Sequence, residues 1–285
     1  MLLKTASLSD DILAIIKDKH TERPRTGELN ETKLPGTYLC RQCGLALFRA
    51  DSKFASSCGW PSFDAEIANH VKEISDDDGV RTEIVCARCA AHLGHVFRGE
   101  GFTLKNVRHC VNSLSLDFVP IQNVNDTEEA IFAAGCFWGV EFYLKKIEGV
   151  LKTEVGYIGG DRKSPSYEQI CTGDTGHYEA IRVIFDPSIV SYETLTRAFF
   201  EIHDPTQSDG QGPDRGSQYL SAIFYYDPQQ KQTAVNLIKQ LERKGLTVRT
   251  QILPVQVFWR AEKYHQDYYQ KTGKTPYCHF YTKRF

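Results

Sequence analysis

Two pairs of cysteines, each with two residues between its members, place the strongest constraint on the fold of this 285-residue chain. The spacing lets both sulfurs of a pair reach one tetrahedral ion, and two such pairs complete a closed thiolate shell. Two separate redox pairs are the alternative, but one structural zinc ion is favoured. The fold must then bring the pairs together across a long intervening segment. The four predicted ligands are Cys40, Cys43, Cys86 and Cys89.

Length and composition predict two domains of ordinary globular type. The chain is 41% hydrophobic and 25% charged, with a net charge of −2 and no basic stripe, so nucleic acid is not an expected partner. No apolar run is long enough to span a bilayer, and the N-terminus lacks the apolar stretch of a secretory signal. We therefore predict no membrane partner and a cytoplasmic location. Nine cysteines, an odd number, also fit a reducing compartment.

A proline, asparagine and aspartate-containing stretch predicts a linker at 120–127, between domains at 1–119 and 128–285. The first domain reads as mostly β with antiparallel sheets, because short strand-like runs follow an opening helix. The second reads as α+β, because helical and strand patterns alternate. The predicted helices are 9–20, 139–149, 191–203, 228–245 and 261–271, and the predicted strands are 36–40, 82–86, 113–119, 179–186, 218–226 and 247–255.

The first half has two further cysteines, Cys58 and Cys110, which have polar neighbours in the sequence. Each could be a buried core thiol, which is the commoner outcome for an isolated cysteine. However, Arg108 is close to Cys110 in sequence, and His92 and His95 follow the second metal pair. Cationic and imidazole neighbours lower the pKa of a thiol and can deliver a proton. A thiolate with a nearby acid is predicted if the fold joins these segments.

Over residues 7–119 the chain closely resembles the type B methionine sulfoxide reductases. Besides the cysteine pairs, the matching stretches are CGWPSF at 58–63, HLGHVF at 92–97 and RHCVNSLSL at 108–116. One position departs from the family pattern, because His109 stands where the family usually has tyrosine. The resemblance implies that Cys110 is the nucleophile and that Cys58 is the resolving cysteine. It also implies that His92, His95 and Asn112 bind and protonate the sulfoxide oxygen. Trp60 would pack on the substrate methyl, and Arg108 would help to hold Cys110 as thiolate.

In the second half, the stretch AAGCFWGVE places Cys136 where an apolar run meets a glycine and then a helix. A helix N-terminus favours thiolate, and two aromatic residues beside it could build a pocket for a thioether-like group. A core cysteine packed by these aromatics is the alternative. Glu179 shares the strand parity of Ile181, Val183 and Phe185, so its carboxyl is either a satisfied core group or an acid with a raised pKa.

Over residues 129–285 the chain resembles the type A methionine sulfoxide reductases. GCFWG at 135–139 is that family's nucleophile motif, and EVGYIGG, GDTGHYEA, PDRGSQYLSA and YHQDYY follow it in order. The resemblance implies a ferredoxin-like sandwich core. It also implies that Cys136 attacks the sulfoxide sulfur and that Glu179 gives a proton to the oxygen. Phe137 and Trp138 would hold the substrate methyl, and Cys278 would be the resolving thiol. The other residues of the oxygen site would be Tyr167, Asp214, Tyr219 and Tyr268. Cys171 is expected to be a bystander near the pocket.

These resemblances imply a bifunctional oxidoreductase that repairs oxidised methionine in proteins and peptides during oxidative stress. The type B half would reduce the R epimer and the type A half the S epimer, through sulfenic acid and disulfide intermediates. Thioredoxin or a similar dithiol would recycle both, so resolving thiols are expected in exposed segments such as the C-terminal tail. One zinc ion and no organic cofactor are implied. A zinc-dependent redox-sensing or interaction protein, or a chain with one degenerate half, are the alternatives.

Overall fold

The computed structural model describes residues 8–76, 79–120 and 123–285. They form two compact units, 8–127 and 128–285. Residues 1–7 of the predicted first domain and residues 121–122 of the predicted linker lie outside the described residues. Within the described ranges, no helix is both long enough and apolar enough to cross a membrane.

The first unit is mostly β, as predicted. Two antiparallel sheets carry it, with strand orders β2-β1-β9 and β3-β4-β8-β7-β6-β5. The runs GTYLC and TEIVC form strands because nearly all of their residues are buried between neighbours. The elements are α1 Asp10–Ile16, β1 Gly36–Cys40, β2 Ala46–Arg49, β3 Lys53–Phe54, β4 Ser62–Phe63, β5 Val71–Ser75, β6 Thr82–Cys86, β7 His92–Arg98, β8 Val107–Val111 and β9 Leu116–Pro120, with 3₁₀ turns at Ala50–Ser52 and Ser113–Ser115.

The stretch predicted as a linker belongs in part to this first unit. The backbone N–H of Val124 donates to the Thr37 hydroxyl at 3.0 Å, and the Thr127 hydroxyl donates to the Gly44 carbonyl at 2.8 Å. These side chains and backbone groups are buried, so residues 123–127 are tied to β1 and to the turn that follows it.

The second unit is α+β, as predicted. A six-stranded sheet of order β16-β15-β10-β12-β11-β17 lies at its centre, and all pairs are antiparallel except β15 with β16. The elements are β10 Glu128–Ala134, α2 Phe137–Leu144, β11 Val150–Ile158, α3 Tyr167–Cys171, β12 Tyr178–Phe185, α4 Tyr192–Ile202, β13 Gly210–Gln211, β14 Asp214–Arg215, β15 Ser221–Tyr225, α5 Pro228–Arg243, β16 Gln251–Pro254, β17 Trp259–Arg260 and α6 Tyr268–Thr272, with a 3₁₀ turn at Ser217–Tyr219.

Helices α2, α4 and α5 pack on this sheet around one large apolar core. Helix α4 begins where Ser191 caps the N–H of Thr194, and α5 begins where Asp227 caps Gln230 and proline occupies the first turn. Phe132, Phe199 and Phe200 are completely buried in the core. The sheet and helices therefore form a rigid support for the ends of β10 and β12, where the predicted site residues lie.

Three predicted helices are shorter in the structure. Helix α1 ends at Ile16 and α2 ends at Leu144. The helix predicted over 261–271 begins only at Tyr268, because the Gln266 side chain bonds the backbone of Val155 and Asp267 adopts a left-handed φ of 56°. Here a tertiary hydrogen-bond pair replaces the helical ladder that the sequence pattern favours.

Candidate active sites

The four cysteines of the two C-x-x-C pairs lie together. Each pair forms the same turn: the N–H of Gly44 donates to the Cys40 carbonyl at 2.7 Å, and the N–H of Ala90 donates to the Cys86 carbonyl at 2.9 Å. Gly44 and Ala90 both have positive φ, at 70° and 59°. The backbone thus presents the two pairs in matching conformations at the ends of β1 and β6.

The sulfur positions suit a tetrahedral ion. The Sγ atoms of Cys40 and Cys89 are 3.6 Å apart, as are those of Cys43 and Cys86, and all four lie within 4.8 Å of one another. Zinc–sulfur bonds of about 2.3 Å in a tetrahedron place sulfur atoms roughly 3.8 Å apart. The cluster could therefore hold zinc, and its four sulfurs fill every position of a tetrahedral shell.

The first unit brings a second pair of thiols together. Cys58 follows β3 and Cys110 lies in β8, and their Sγ atoms are 3.8 Å apart. Both side chains are partly exposed. A disulfide needs sulfur atoms about 2.05 Å apart, so a small shift of the Cys58 segment would close the bond.

A hydrogen bond between the two sulfur atoms shifts the pKa values of this pair in opposite directions. Hydrogen bonding by Cys110, helped by the hydroxyls of Ser56 and Ser62, lowers the pKa of Cys58 to about 4. The same hydrogen bond and burial raise the pKa of Cys110, and the opposing effect of Arg108 is smaller. Arg108 acts on Cys110 in the expected direction, because its positive charge favours the thiolate form.

A cavity of about 140 Å³ opens onto Cys110. A cavity of about 150 Å³ accommodates a benzene-sized molecule, so this space suits one small side chain. Trp60, His95 and Asn112 are among its lining residues, whereas Cys58 is not. The cavity therefore places Cys110, rather than Cys58, where it can meet a substrate.

Both predicted histidines are held by carboxylates that sequence reasoning missed. The Nδ1 of His92 lies 2.6 Å from Glu83, and the Nε2 of His95 lies 2.8 Å from Asp76. Burial lowers the pKa of His92, and Glu83 opposes this effect. The Nε2 of His92 is buried with no hydrogen-bond partner among the described residues. The signal for Glu83 was available, since an acidic residue stands within the otherwise buried strand TEIVC.

Asn112 and Trp60 are fixed by one further residue, Glu22. The N–H of Glu22 donates to the Asn112 side chain at 3.1 Å, and the Trp60 indole donates to the Glu22 carbonyl at 3.1 Å. The Glu22 carboxylate accepts the N–H groups of Ser113 and Leu114 at 2.6 and 3.1 Å. No sequence pattern identified Glu22, because it lies in an irregular segment far from the residues that it holds.

Arg108 and His109 point to opposite faces of β8. Arg108 is paired with Glu100 through two bonds of 2.7 and 2.9 Å and lies over the Phe97 ring. His109 is buried, and its ring is 5.7 Å from that of Phe48. Because strand side chains alternate, His109 lies on the face away from Cys110. His109, the residue that departs from the family pattern, therefore faces the core.

In the second unit, Cys136 is the N-cap residue of α2, as the sequence predicts. Its Sγ lies within 4.8 Å of the Cys278 Sγ and of an Asp214 carboxylate oxygen. Hydrogen bonding to Cys278 and burial raise the pKa of Cys136, and the Trp138 N–H at the helix start only partly opposes them. Resting Cys136 is therefore a thiol. Cys278 itself is only 3% exposed, although most residues of the C-terminal segment around it are exposed.

Glu179 places a buried carboxyl group in this site. It is 2% exposed, and one carboxylate oxygen accepts the Phe137 N–H at 3.2 Å, which places it beside the start of α2. Burial first, and then the neighbouring Cys136, raise its pKa well above the ordinary value. Burial and the nearby Glu179 likewise raise the pKa values of Tyr167 and Tyr219. The predicted acid and hydroxyl donors are thus neighbours.

An aromatic wall adjoins these groups. The Trp138 and Tyr268 rings stack 3.7 Å apart at 7°, and Phe137 lies 6.4 Å from Trp138. The Trp138 indole donates to Nδ1 of His265 at 3.1 Å, which fixes the orientation of the tryptophan. His265 was missed as a site residue, although it lies in the YHQDYY motif. Cys171 is exposed at the end of α3.

The sequence of the second unit matches a family model described as peptide methionine sulfoxide reductase, over residues 128–285. The chain belongs to this family. The first unit matches the SelR domain over residues 8–120, the type B reductase domain, so the chain joins both types. It is an oxidoreductase that repairs oxidised methionine by sulfoxide reduction.

Individual relatives cover the second unit. The chain is 56% identical over 149 residues to "Peptide methionine sulfoxide reductase MsrA" of Methanosarcina mazei, which spans 51% of this chain and 71% of the relative. It is 52% identical over 147 residues to the protein of the same name from Methanococcoides burtonii, which spans 50% and 96%. Among solved structures, reduced Mxr1 from Saccharomyces cerevisiae is 33% identical, with a TM-score of 0.52, over 54% of this chain and 92% of that one.

Proposed function

We propose that each unit carries one complete sulfoxide reductase site. The division is 1–119 for the type B part, 120–127 for the linker and 128–285 for the type A part. The first unit would reduce methionine R-sulfoxide and the second would reduce methionine S-sulfoxide, in proteins and peptides. The observation that carries this proposal is the pairing of two thiols beside an acid-bearing site in each unit, Cys58 with Cys110 and Cys136 with Cys278.

In the first unit, Cys110 attacks the sulfoxide sulfur from the cavity. The Cys58 sulfur, 3.8 Å away, takes the Cys110 proton as the attack begins. His92, His95 and Asn112 bind and protonate the oxygen, Trp60 packs on the methyl, and Arg108 stabilises the negative charge that forms on Cys110. Methionine leaves and Cys110 becomes a sulfenic acid. Cys58, now a thiol, condenses with it to a disulfide and releases water.

In the second unit, Glu179 supplies a proton to the sulfoxide oxygen while Cys136 attacks the sulfur. The proton of the Cys136 thiol replaces the one that Glu179 gave, so the carboxyl is restored. Phe137 and Trp138 hold the methyl. The remaining groups of the oxygen site are Tyr167, Asp214, Tyr219 and Tyr268. Cys278 then condenses with the sulfenic acid at Cys136, which yields a disulfide and water.

The reductant would be a dithiol protein of the thioredoxin class. Its thiolate attacks one sulfur of each disulfide, and its second thiol releases the mixed disulfide. Partly exposed Cys58 supports such access in the first unit. A reducing, cytoplasmic compartment would supply such a reductant and keep the nine cysteines of the chain reduced between turnovers.

One zinc ion would bind Cys40, Cys43, Cys86 and Cys89. A bound zinc ion would hold the ends of β1 and β6 together, and a four-thiolate shell leaves no position for chemistry. A ferredoxin-like core for the second unit is supported by strands β10, β11, β12 and β15, which lie in the order 4-1-3-2 with every neighbour antiparallel.

The test is dithiothreitol-driven reduction of separated R and S epimers of a peptide methionine sulfoxide. We expect Cys110→Ser to lose only R reduction and Cys136→Ser to lose only S reduction. Loss of both activities in one variant would contradict two independent sites. Repeated turnover also separates an enzyme from a redox sensor, which would oxidise once and stop.

A further inference from the structure

His279 is a buried group that the proposed chemistry does not use. Its ring is fully buried, and it packs against the first turn of α2 so closely that a Cβ on Gly139 would lie 2.2 Å from its Nδ1. Its Nε2 lies 2.6 Å from the Ala134 carbonyl, and its Nδ1 lies 3.1 Å from the Sγ of Cys278. The ring therefore connects the end of β10 with the proposed resolving thiol.

The hydrogen bonds define the tautomer. A carbonyl oxygen only accepts, so the Nε2 of His279 must carry the proton that is donated to Ala134. A neutral ring then has a lone pair on Nδ1, which accepts the S–H of Cys278. Burial lowers the pKa of His279 to about 4, so the ring is neutral in the resting protein and Nδ1 is free to take a proton.

We propose that His279 is the general base that activates Cys278 for disulfide formation. This inference rests on the proposed function, in which Cys136 becomes a sulfenic acid. Nδ1 takes the Cys278 proton as the sulfur attacks the Cys136 Sγ, an S–S bond forms and the S–O bond breaks. The leaving hydroxide takes the proton from Nδ1, so water is released and His279 returns to its neutral form. The negative charge that develops on the leaving oxygen stabilises the transient imidazolium until the proton is transferred to it.

Five other titratable groups surround this pair. Burial raises the pKa values of Tyr269 and Tyr277, and Cys278 adds to both shifts, so both hydroxyls are neutral. Cys278 and burial raise the pKa of Cys136 at the start of α2, and the Asp214 carboxylate raises the pKa of His279. His203, at the C-terminal end of α4, is held neutral by burial, which lowers its pKa to about 3. The proton of Cys278 is therefore in direct hydrogen-bond contact with one neutral base, Nδ1 of His279.

The experiment is a single turnover of the reduced full chain with a peptide methionine S-sulfoxide and no reductant. Methionine release reports the first step. The second step is followed in quenched samples by dimedone trapping of the sulfenic acid and by peptide mapping of the Cys136–Cys278 disulfide. In His279→Gln the amide can still donate to Ala134 but nothing accepts at the Nδ1 position. In His279→Asn an oxygen can accept the thiol hydrogen bond there but cannot take its proton.

For His279→Gln we expect unchanged methionine release, about 100-fold slower disulfide formation at pH 7, and accumulated sulfenic acid like that of Cys278→Ser. In the unmutated chain the disulfide rate should stay nearly constant from pH 6 to 8. In His279→Asn it should rise about tenfold per pH unit, because the reaction then depends on free thiolate.

Four results would overturn the proposal. Disulfide formation in His279→Gln at the unmutated rate would show that no base is needed. Full rescue by His279→Asn would make the residue a positioning group. Equal loss of methionine release and disulfide would indicate a structural role. A tenfold rise per pH unit in the unmutated chain would exclude a base without any substitution. Absence of methionine release in the unmutated chain would instead refute the function itself, and the inference with it.

Discussion

Replacing Glu179 by glutamine should abolish S-sulfoxide reduction and at the same time stabilise the second unit. The glutamine keeps an oxygen that can accept the Phe137 N–H but has no proton to give. A general acid contributes roughly 10²–10⁴-fold to rate, which is about 2.7–5.5 kcal/mol of barrier. We expect kcat for the S epimer to fall by at least 100-fold, with reduction of the R epimer unchanged as an internal control.

The gain in stability follows from proton linkage. The folded pKa of Glu179 is raised above the ordinary value of 4.5, mainly by burial. Between pH 4.5 and the pKa of Glu179 in the folded state, the folded protein binds a proton that the unfolded chain has lost. The free energy of unfolding therefore falls as pH rises through this range. The glutamine side chain does not titrate, so the variant does not lose stability in this way. The difference in free energy of unfolding between the variant and the unmutated chain should grow by about 1.4 kcal/mol per pH unit above pH 4.5, until the pKa of Glu179 in the folded state is reached.

The assay combines steady-state kinetics on both epimers with urea unfolding of the second unit from pH 5 to pH 8. Glu193→Gln, the same substitution on the exposed side of α4, controls for the change in net charge. Retention of a tenth or more of the S activity would refute the acid role of Glu179. A stability difference that does not change with pH would refute the raised pKa.

Two further outcomes follow from buried charge and metal chemistry. Removal of metal from the intact chain with a chelator should lower the unfolding temperature of the first unit and its reduction of the R epimer, while reduction of the S epimer stays intact. Calorimetry and assays with the separated epimers would measure these effects. Equal loss of both activities would contradict a metal bound only by Cys40 and its three partners. Arg182→Met should destabilise the second unit by about 3 kcal/mol in urea unfolding, because Glu129 and Glu154 would lose the buried guanidinium that lies 2.7 Å from each. Glu129 would keep the Tyr226 hydroxyl, and Glu154 would keep Lys152 and Arg260. Arg197→Met at an exposed pair should cost less than about 0.5 kcal/mol.

Local patterns predicted most of the scaffold because they agree with the tertiary structure. Helices α4 and α5 lie within the segments predicted as helical, 191–203 and 228–245. The strands at 36–40 and 82–86 were predicted at their observed bounds. The prediction failed over 261–271, where the Gln266 amide bonds a strand that is distant in sequence. No local pattern contains that contact.

The site residues could be predicted as a set, but their charge states could not. Ordered motifs placed Cys110 and Arg108 together, and their chemistry suggested a thiolate on Cys110. The pKa values of both thiols depend on a 3.8 Å contact between residues 52 positions apart, which no local pattern contains. Glu22 was unpredictable for the same reason. His279 had a signal, because it directly follows Cys278 in sequence.

The two thiol pairs differ in how far they lie from solvent. Cys58 and Cys110 are partly open, whereas Cys136 and Cys278 are 7% and 3% exposed. In the proposed cycle, a reductant would approach each disulfide along the line of its two sulfurs. The C-terminal segment would then have to move before the second pair could be reduced, and the first pair would need no such movement. When the reductant is limiting, the two units of one chain would reduce the R and S epimers of methionine sulfoxide at different rates. Methionine oxidised in the S configuration would then accumulate first.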